Sequence, residues 1–290
     1  MSRLALGTVQ FGMPYGISNK NGQTNIKEAE AIIDCAREHG IDTLDTAIGY
    51  GESETCLGKI GVQDFNVVTK LPAVSNDVPD VKAWVFEQVE SSLKRLKLQK
   101  LHAILLHQPA QLTHPISGQP LAEGLMALKA EGYVKKIGVS VYKPEDLIQI
   151  SGVINPDLIQ APFNLLDRRL ASAGCFDPLN KRGVEIHARS VFLQGLLLMP
   201  REDIPQNFER WSSVWNAYHE FLTDKHLSAT AACLHFAFSY PQIDKIVVGV
   251  ENRSQLQELI DQAREARVQD WPDLACDDER LINPSKWNQN

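Results

Sequence analysis

The sequence predicts an α/β protein whose fold class is a single-domain (β/α)8 TIM barrel, and three observations support this prediction. Eight short apolar runs alternate with longer segments of helical period along the chain. The runs are apolar on both faces, which is typical of parallel strands covered by helices. Eight such units within 290 residues match the size of one barrel, and no linker or change of composition marks a second domain.

The predicted strands are the eight apolar runs. They are LALGTV (4–9), TLDTA (43–47), FNVVTK (65–70), LHAILLHQ (101–108), KIGVSV (136–141), DLIQA (157–161), VEIHARS (184–190) and IDKIVVGV (243–250). The rival fold, an open doubly wound sheet, would require GxGxxG after the first strand, and GTVQFG lacks that spacing. The sequence therefore favours a closed barrel.

Amphipathic patterns between the strands predict the helices. They cover 26–38, 52–59, 81–96, 121–130, 144–150, a short segment after Asn164, 208–238 and 254–266. The segment 12–25, rich in Gly and Asn, is predicted to form a lid over the C-terminal ends of the strands. The tail 266–290, which follows the barrel core 3–265, is expected to fray or to fold over the same active-site face.

Composition narrows the class of function. A formal net charge of −7 without a long basic run argues against a nucleic-acid groove or an anionic membrane surface, and favours a small-molecule partner. The longest apolar stretch is about ten residues, whereas a bilayer span needs roughly 20, and the N-terminus lacks a signal-peptide pattern. The five cysteines include no CxxC pair, which predicts reduced thiols, no metal site, and a soluble, cytoplasmic protein.

Titratable side chains close three successive strands. In a barrel of this type the active site lies at the C-terminal ends of the strands, and Asp45, Lys70 and His107 end strands 2, 3 and 4. Neighbouring strands lie about 4.8 Å apart, so these side chains should meet, with Tyr50 above them in the following loop. Asp42 differs in parity from Asp45 and is predicted to lie where strand 2 begins.

The four groups suit acid catalysis. A phenol with a pKa of about 10 is a poor acid at neutral pH unless a nearby cation stabilises its anion, and Lys70 is that cation. Asp45 would hold the ammonium by a charge-assisted hydrogen bond, and a neutral His107 could orient a substrate oxygen. A lysine at a strand end also suits Schiff-base chemistry, so an aldolase is an alternative.

Successive segments resemble, in order, the motifs of the aldo-keto reductase family. They are GIDTLDTAIGYGESETCLG, the Thr-Lys that ends strand 3, SSLKRLKLQKLHAILLHQP, KKIGVSV, IQAPFN and GVENRSQLQE, and the resemblance covers residues 3 to about 265. It implies an oxidoreductase that reduces an aldehyde or ketone by hydride transfer from NAD(P)H, with Asp45, Tyr50, Lys70 and His107 as the catalytic tetrad. Tyr50 is then the general acid. The polar lid and the arginines near the site favour a polyhydroxylated or sugar-derived carbonyl as the substrate.

The resemblance also implies the residues that contact the cofactor. They are Thr8, Asp45, Ser140, Gln160, Arg189, Ser190, Phe192, Gln194, Gly249, Asn252, Arg253 and Gln255. NADP(H) is favoured because the family usually binds it. NAD(H) stays open, because Gly249 and Gln255 replace basic residues that would clamp a 2′-phosphate, although Asn252 or Arg253 could substitute for them.

The chain departs from the family pattern at three places. Only MSR precedes strand 1, so the hairpin that plugs the barrel bottom is expected to be absent. Val141 follows Ser140 where the family commonly has Asn, and Arg189 stands where an aromatic ring stacks on the nicotinamide. These departures keep a second hypothesis open, a nicotinamide-binding regulatory or sensor subunit with little turnover.

Several other residues have a structural explanation beside a functional one. Arg168 and Arg169 could grip an anionic substrate or form surface ion pairs. Trp287 could line the substrate pocket or anchor the tail. His102 has the wrong strand parity for the site and is predicted to pack. The physiological substrate, the direction of the reaction and the oligomeric state do not follow from the sequence.

Overall fold

The computed structural model describes residues 3–19, 21–264 and 270–287. Eight parallel strands close into a barrel, and each strand pairs with its neighbours in chain order. The strands are β1 (Leu4–Gly7), β2 (Thr43–Asp45), β3 (Asn66–Leu71), β4 (Leu101–Leu106), β5 (Val134–Ser140), β6 (Leu158–Pro162), β7 (Glu185–Arg189) and β8 (Lys245–Gly249). Each overlaps one of the eight predicted strands, and the predicted (β/α)8 TIM barrel is confirmed.

Helices cover the outside of the barrel. They are α1 (Ile26–Glu38), α2 (Ser53–Ile60), α3 (Val81–Leu96), α4 (Gly118–Ala130), α5 (Pro144–Ile150), α6 (Arg169–Ser172), α7 (Phe176–Lys181), α8 (Ser212–Asp224), α9 (Ala229–Phe238), α10 (Arg253–Ala263) and α11 (Glu279–Ile282). Three of them, α1, α3 and α5, have the predicted bounds. Each of these three begins after a capping residue or with Pro at its first position, signals that the sequence carries plainly.

The predicted helix 208–238 is wrong as a single element. A 3₁₀ helix (Gln206–Trp211) leads into α8, and the chain then breaks before α9. His226 has a left-handed φ of 52°, and the Ser228 hydroxyl accepts a hydrogen bond from the backbone N–H of Ala231 at 3.0 Å, which caps α9. The break spans only residues 225–228 and contains neither Gly nor Pro, so the sequence lacks the usual signal for a helix end there.

The barrel interior changes character from one end to the other. An apolar cluster of Val68, Ala103, Leu105 and Leu158 fills the middle. At the N-terminal end, a polar cluster surrounds Glu185, whose carboxylate lies 2.6 Å from His187 Nε2 and 3.3 Å from His102 Nε2. Glu185 also pairs with Lys136. His102 therefore lies at the opposite end from the C-terminal mouth.

The described part of the tail, 270–287, packs on the loop that follows β6. Arg168 donates to the carbonyl of Pro272 at 2.8 Å, and the N–H of Cys276 donates to Leu166 O at 2.9 Å. The Trp287 ring packs edge-on against Phe208 at 5.0 Å between centroids. Across residues 3–19, 21–264 and 270–287, no helix has the length and apolar character needed to cross a membrane.

Candidate active site

Strand ends bring Asp45 and Lys70 into a buried ion pair. Lys70 Nζ donates to both carboxylate oxygens of Asp45 at 2.8 Å and to the carbonyl of Thr46 at 2.8 Å. Gln160 Nε2 donates to Asp45 Oδ1 at 2.6 Å from across the barrel mouth. The side chain of Lys70 is 1% exposed and that of Asp45 is 7% exposed, so the pair is fixed and shielded from water.

Tyr50 lies over this pair because two glycines let its loop approach the chain after β1. A Cβ on Gly12 would come 1.8 Å from the Tyr50 carbonyl oxygen, and Gly51 adopts a φ of +53°. Lys70 Nζ lies 5.0 Å from the centre of the Tyr50 ring. The ring of His107 meets that of Tyr50 edge-on, with 6.1 Å between centroids and 79° between planes. The four predicted catalytic residues thus converge.

A buried glutamate fixes the helix that follows Tyr50. Glu54 in α2 accepts hydrogen bonds from Thr69 and Ser92, each at 2.7 Å, and pairs with Arg95 at 2.6 Å. These contacts tie α2 to β3 and α3, and they hold the Tyr50 loop between its two anchors. Glu54 was not among the predicted site residues, because a carboxylate beside Ser and Thr in a helix gives no sign of burial.

Electrostatics at the site favour a charged lysine and a neutral histidine. Burial acts to lower the pKa of Lys70, but the Asp45 carboxylate and Tyr50 outweigh it, so the pKa of the ammonium is raised. Burial, together with the positive charges of Lys70 and Arg189, lowers the pKa of His107 to about 4. At neutral pH the imidazole is therefore uncharged, and one ring nitrogen can donate a hydrogen bond.

A cavity of about 400 Å³ opens from these groups. Asp45, Tyr50 and His107 line it, and so do most residues that the family resemblance assigned to the cofactor. These are Thr8, Gln160, Arg189, Ser190, Phe192, Gln194, Gly249 and Gln255. Arg189 contacts Ser140 Oγ at 3.3 Å and the Val141 carbonyl at 3.1 Å, and it stacks on the Tyr142 ring at 4.5 Å.

Three of the expected cofactor residues do not line the cavity. Ser140 is buried behind Arg189, and its hydroxyl oxygen accepts a hydrogen bond from Arg189 Nε at 3.3 Å. Asn252 caps α10 by accepting from the N–H of Gln255 at 2.9 Å. Arg253 turns toward α1, where it pairs with Glu38 at 2.8 Å. In this structure Asn252 and Arg253 are thus engaged in contacts outside the cavity.

The segment 12–25 covers the cavity, as expected of a lid, in its described residues 12–19 and 21–25. The N–H of Ile17 donates to Gln194 O at 3.1 Å, and Gln194 Nε2 donates to the Tyr15 hydroxyl at 3.0 Å. Asn21 Nδ2 donates to Glu251 Oε2 at 2.9 Å. The lid thus bridges the loops that follow β7 and β8. Tyr15 was missed because nothing in the sequence distinguishes a lid aromatic from a surface one.

The two arginines of the β6 loop are occupied by structural contacts. Arg169 pairs with the buried Asp167 at 2.8 Å and donates to the Tyr142 carbonyl at 2.9 Å. Arg168 bonds Pro272 O and stacks on the Phe236 ring at 4.6 Å. Neither arginine lines the cavity, nor does Trp287. These contacts support the structural explanation for all three residues.

The cavity wall offers a hydrogen-bond acceptor that suits a nicotinamide. Gln160 is fully buried and lines the cavity, and its Oε1 has no partner in the described part of the chain. A buried acceptor without a partner is costly, and a carboxamide N–H would satisfy this one. The residues present therefore fit the nicotinamide group.

Comparison with known proteins finds one family that matches nearly the whole chain. The family model described as "Aldo/keto reductase family" matches residues 3–270. The uncharacterized oxidoreductase YqkF of Bacillus subtilis (strain 168) is 27% identical over 292 aligned residues, covering 92% of this chain and 93% of the relative. A probable voltage-gated potassium channel subunit beta of Arabidopsis thaliana is 23% identical over 296, covering 89% and 87%. The holo form of aldo-keto reductase AKR11C1 from Bacillus halodurans shares the fold, with a TM-score of 0.74 and 22% identity, covering 92% and 88%.

Proposed function

Because the chain belongs to the aldo/keto reductase family and is an NAD(P)H-dependent oxidoreductase, we propose that it reduces an aldehyde or ketone to an alcohol with Tyr50 as the general acid. The observation that carries the proposal is the placement of the Tyr50 phenol above the buried Lys70–Asp45 pair and beside His107, on the wall of one cavity.

Each residue of the tetrad has a distinct task in the proposed reaction. The nicotinamide, when bound, supplies the hydride that reaches the carbonyl carbon. Tyr50 gives its phenolic proton to the carbonyl oxygen, and the Lys70 ammonium stabilises the phenolate that remains. Asp45 keeps Lys70 charged and holds its ammonium 5.0 Å from the centre of the Tyr50 ring. His107, neutral because of its low pKa, donates a hydrogen bond that orients the carbonyl oxygen.

The same electrostatics disfavour the Schiff-base alternative. A lysine nucleophile must lose its proton, and a lowered pKa usually achieves this. The pKa of Lys70 is raised, and its ammonium makes three hydrogen bonds at 2.8 Å. Borohydride should therefore fail to trap Lys70 on any carbonyl that the protein reduces.

We propose a polyhydroxylated or sugar-derived carbonyl as the substrate class. The support is the polar character of the groups near Tyr50: Tyr15 and Gln194 line the cavity beneath the lid and hydrogen-bond each other at 3.0 Å. Such groups can exchange their mutual hydrogen bond for bonds to substrate hydroxyls. A carbonyl panel that spans sugars, aliphatic aldehydes and aromatic ketones tests this assignment.

The decisive experiment is the substitution Tyr50→Phe. General acid catalysis typically contributes about 10² to 10⁴-fold, so carbonyl reduction should fall by at least that range while the dissociation constant of the cofactor stays nearly unchanged. Tyr133→Phe is the matched control, because Tyr133 lies on the outer surface and hydrogen-bonds Glu90 at 3.3 Å. Near-normal carbonyl reduction by the Tyr50→Phe variant would show that Tyr50 is not the general acid.

A second candidate function is a nicotinamide-binding regulatory or sensor subunit with little turnover. The similarity to a plant protein named as a potassium channel β subunit favours it. The two functions differ in rate: an enzyme oxidises NAD(P)H repeatedly with a carbonyl from the panel, whereas a sensor completes about one turnover and retains the oxidised cofactor. Single-turnover and steady-state absorbance at 340 nm distinguish them.

A further inference from the structure

The cavity continues from the tetrad to a region of different chemistry. Tyr50 and His107 line the cavity over the barrel mouth. At its other end the cavity is lined by Glu251, Gln255 and Glu258, which lie in or next to α10. Helix α10 packs outside the barrel against α1 and α9. The proposed function places the nicotinamide beside Tyr50. The adenosine of the same dinucleotide then occupies the α10 end, so the inference below rests on that proposed function.

Two carboxylates line the α10 end of the cavity. No lysine or arginine among the described residues lines that end. Glu251 and Glu258 lie there. Arg189 is the one lysine or arginine that lines the cavity within the described ranges, and it stacks on Tyr142 at the tetrad end. Arg253 is directed away: its guanidinium donates to Glu38 and its backbone N–H to Glu28 Oε1 at 2.7 Å.

Hydrogen bonds hold Glu251 in position. Its Oε2 accepts from Asn21 Nδ2 at 2.9 Å, its N–H donates to Gln255 Oε1 at 2.7 Å, and its carbonyl accepts from Thr24 Oγ1 at 3.3 Å. None of the described residues donates to Oε1 of Glu251. Asn21 of the lid thus holds one oxygen of the carboxylate, and Gln255 and Thr24 hold the backbone of Glu251. The other carboxylate oxygen can accept a hydrogen bond from a ligand.

Gln10 supplies a second, independent sign of a ligand at this end. The residue is 9% exposed and lines the cavity, and its Oε1 has no partner in the described structure. It lies against Gly249, where a Cβ would come 2.7 Å from Gln10 Nε2. A buried amide oxygen without a partner costs free energy, and a ligand hydroxyl or amino group would remove that cost.

We propose that Glu251 is a specificity-determining residue that selects NAD(H) over NADP(H). A carboxylate can accept a hydrogen bond from the 2′-hydroxyl of the adenosine ribose, as acidic residues do in other dinucleotide sites. A 2′-phosphate carries a charge of about −1.5 to −2 at pH 7, so Glu251 repels it and Glu258 adds to the repulsion. The chain thus departs from the NADP(H) that the family resemblance favours.

Direct binding measurements test this selection without turnover. Dissociation constants for NADH and NADPH are measured by cofactor fluorescence, and those for ADP-ribose and its 2′-phosphate by calorimetry, since the latter pair probes the adenosine end alone. Wild type should bind each unphosphorylated ligand at least tenfold more tightly than its phosphorylated partner. Glu251→Gln should reduce the ratio of the two affinities at least threefold, and Glu251→Lys should reverse the preference. Glu87→Gln, on the exposed face of α3, should leave the ratio unchanged.

The outcomes separate this inference from the proposed function. Equal or tighter binding of the 2′-phosphorylated ligands, or a ratio that Glu251→Gln does not alter, overturns the selection by Glu251 while leaving a nicotinamide site in place. Failure to bind any of the four ligands overturns both. Lys20 of the lid lies outside the described residues, so Lys20→Met is measured in parallel. A tenfold loss of NADPH affinity in that variant would show that the lid supplies a phosphate contact and would overturn the inference.

Discussion

Replacing Lys70 by Met should destabilise the protein by about 3–5 kcal/mol at neutral pH, the cost of removing one partner from a buried ion pair. Lys70 Nζ satisfies both oxygens of Asp45 and the carbonyl of Thr46, each at 2.8 Å. Met has a similar length but no donor. Asp45 would keep only the Gln160 amide at 2.6 Å, and a nearly buried carboxylate would remain without a countercharge.

The cost should depend on pH, and its direction follows from Asp45. Without Lys70, the buried Asp45 carboxylate would lack a countercharge, and burial penalises only the ionised form of a carboxyl group. The penalty therefore grows with the fraction of the carboxyl that is ionised, which increases with pH. The loss caused by Lys70→Met should therefore be smaller at pH 5 than at pH 8.

Urea unfolding followed by tryptophan fluorescence at both pH values measures this effect, and the melting temperature should fall by about 5–8 °C at pH 8. The double variant Asp45→Asn/Lys70→Met removes the stranded charge and should recover at least half of the lost stability. Lys82→Met, an exposed change on α3, is the control. A loss below about 1 kcal/mol, or one equal at both pH values, would refute the reasoning.

Three further predictions concern other charged groups. The His107 ring should titrate near pH 4 rather than 6.5, because of burial and the neighbouring cations; an NMR midpoint above 6, assigned with His107→Gln, would contradict it. Burial acts to raise the pKa of Glu185, but hydrogen bonds from His102, His187 and Lys136 outweigh it and lower that pKa. The ionised Glu185 therefore stabilises the folded protein above the unfolded pKa of about 4.3, and this stabilisation is lost as the pH falls. Glu185→Gln should thus cost about 1.5–3 kcal/mol in urea unfolding at pH 7 and clearly less at pH 3.5; a constant cost would refute this. Arg189→Met should tighten NAD⁺ relative to NADH by about fivefold, on the order of 1 kcal/mol, since only the oxidised ring is repelled by the guanidinium; equal changes in both dissociation constants would exclude it.

The convergence of Asp45, Lys70 and His107 could be predicted from the sequence, because strand parity and the closure of the barrel determine which side chains meet at its mouth. Once strands 2, 3 and 4 are placed in order, their C-terminal residues must be neighbours. The observed register pairs Asp45 with Val68, and Lys70 with Leu105, on adjacent strands. An error of one residue in a strand bound would have left this conclusion intact.

The α10 end of the cavity, where we propose that the adenosine binds, could not be predicted in the same way, because it depends on contacts between distant segments. Arg253 stands in a motif that resembles a cofactor loop, yet its guanidinium is drawn to Glu38 on α1. Glu251 is fixed by Asn21, which lies 230 positions earlier. No periodicity encodes such pairings, so residue type suggested a cation at this end where the fold provides a carboxylate.

The two carboxylates of IDTLDT both pair with a lysine but differ in their surroundings. Asp42 pairs with Lys245 at 2.5 Å, and Asp45 pairs with Lys70 at 2.8 Å. The same Asp–Lys chemistry therefore occurs twice within four residues of sequence. Asp42 lies just before β2 begins, whereas Asp45 ends that strand and meets the cavity beneath Tyr50. Ion pairing alone therefore does not single out the carboxylate for which we propose a catalytic role. The place of Asp45 at the C-terminal end of a parallel strand does, because the loops that carry Tyr50 and line the cavity start there.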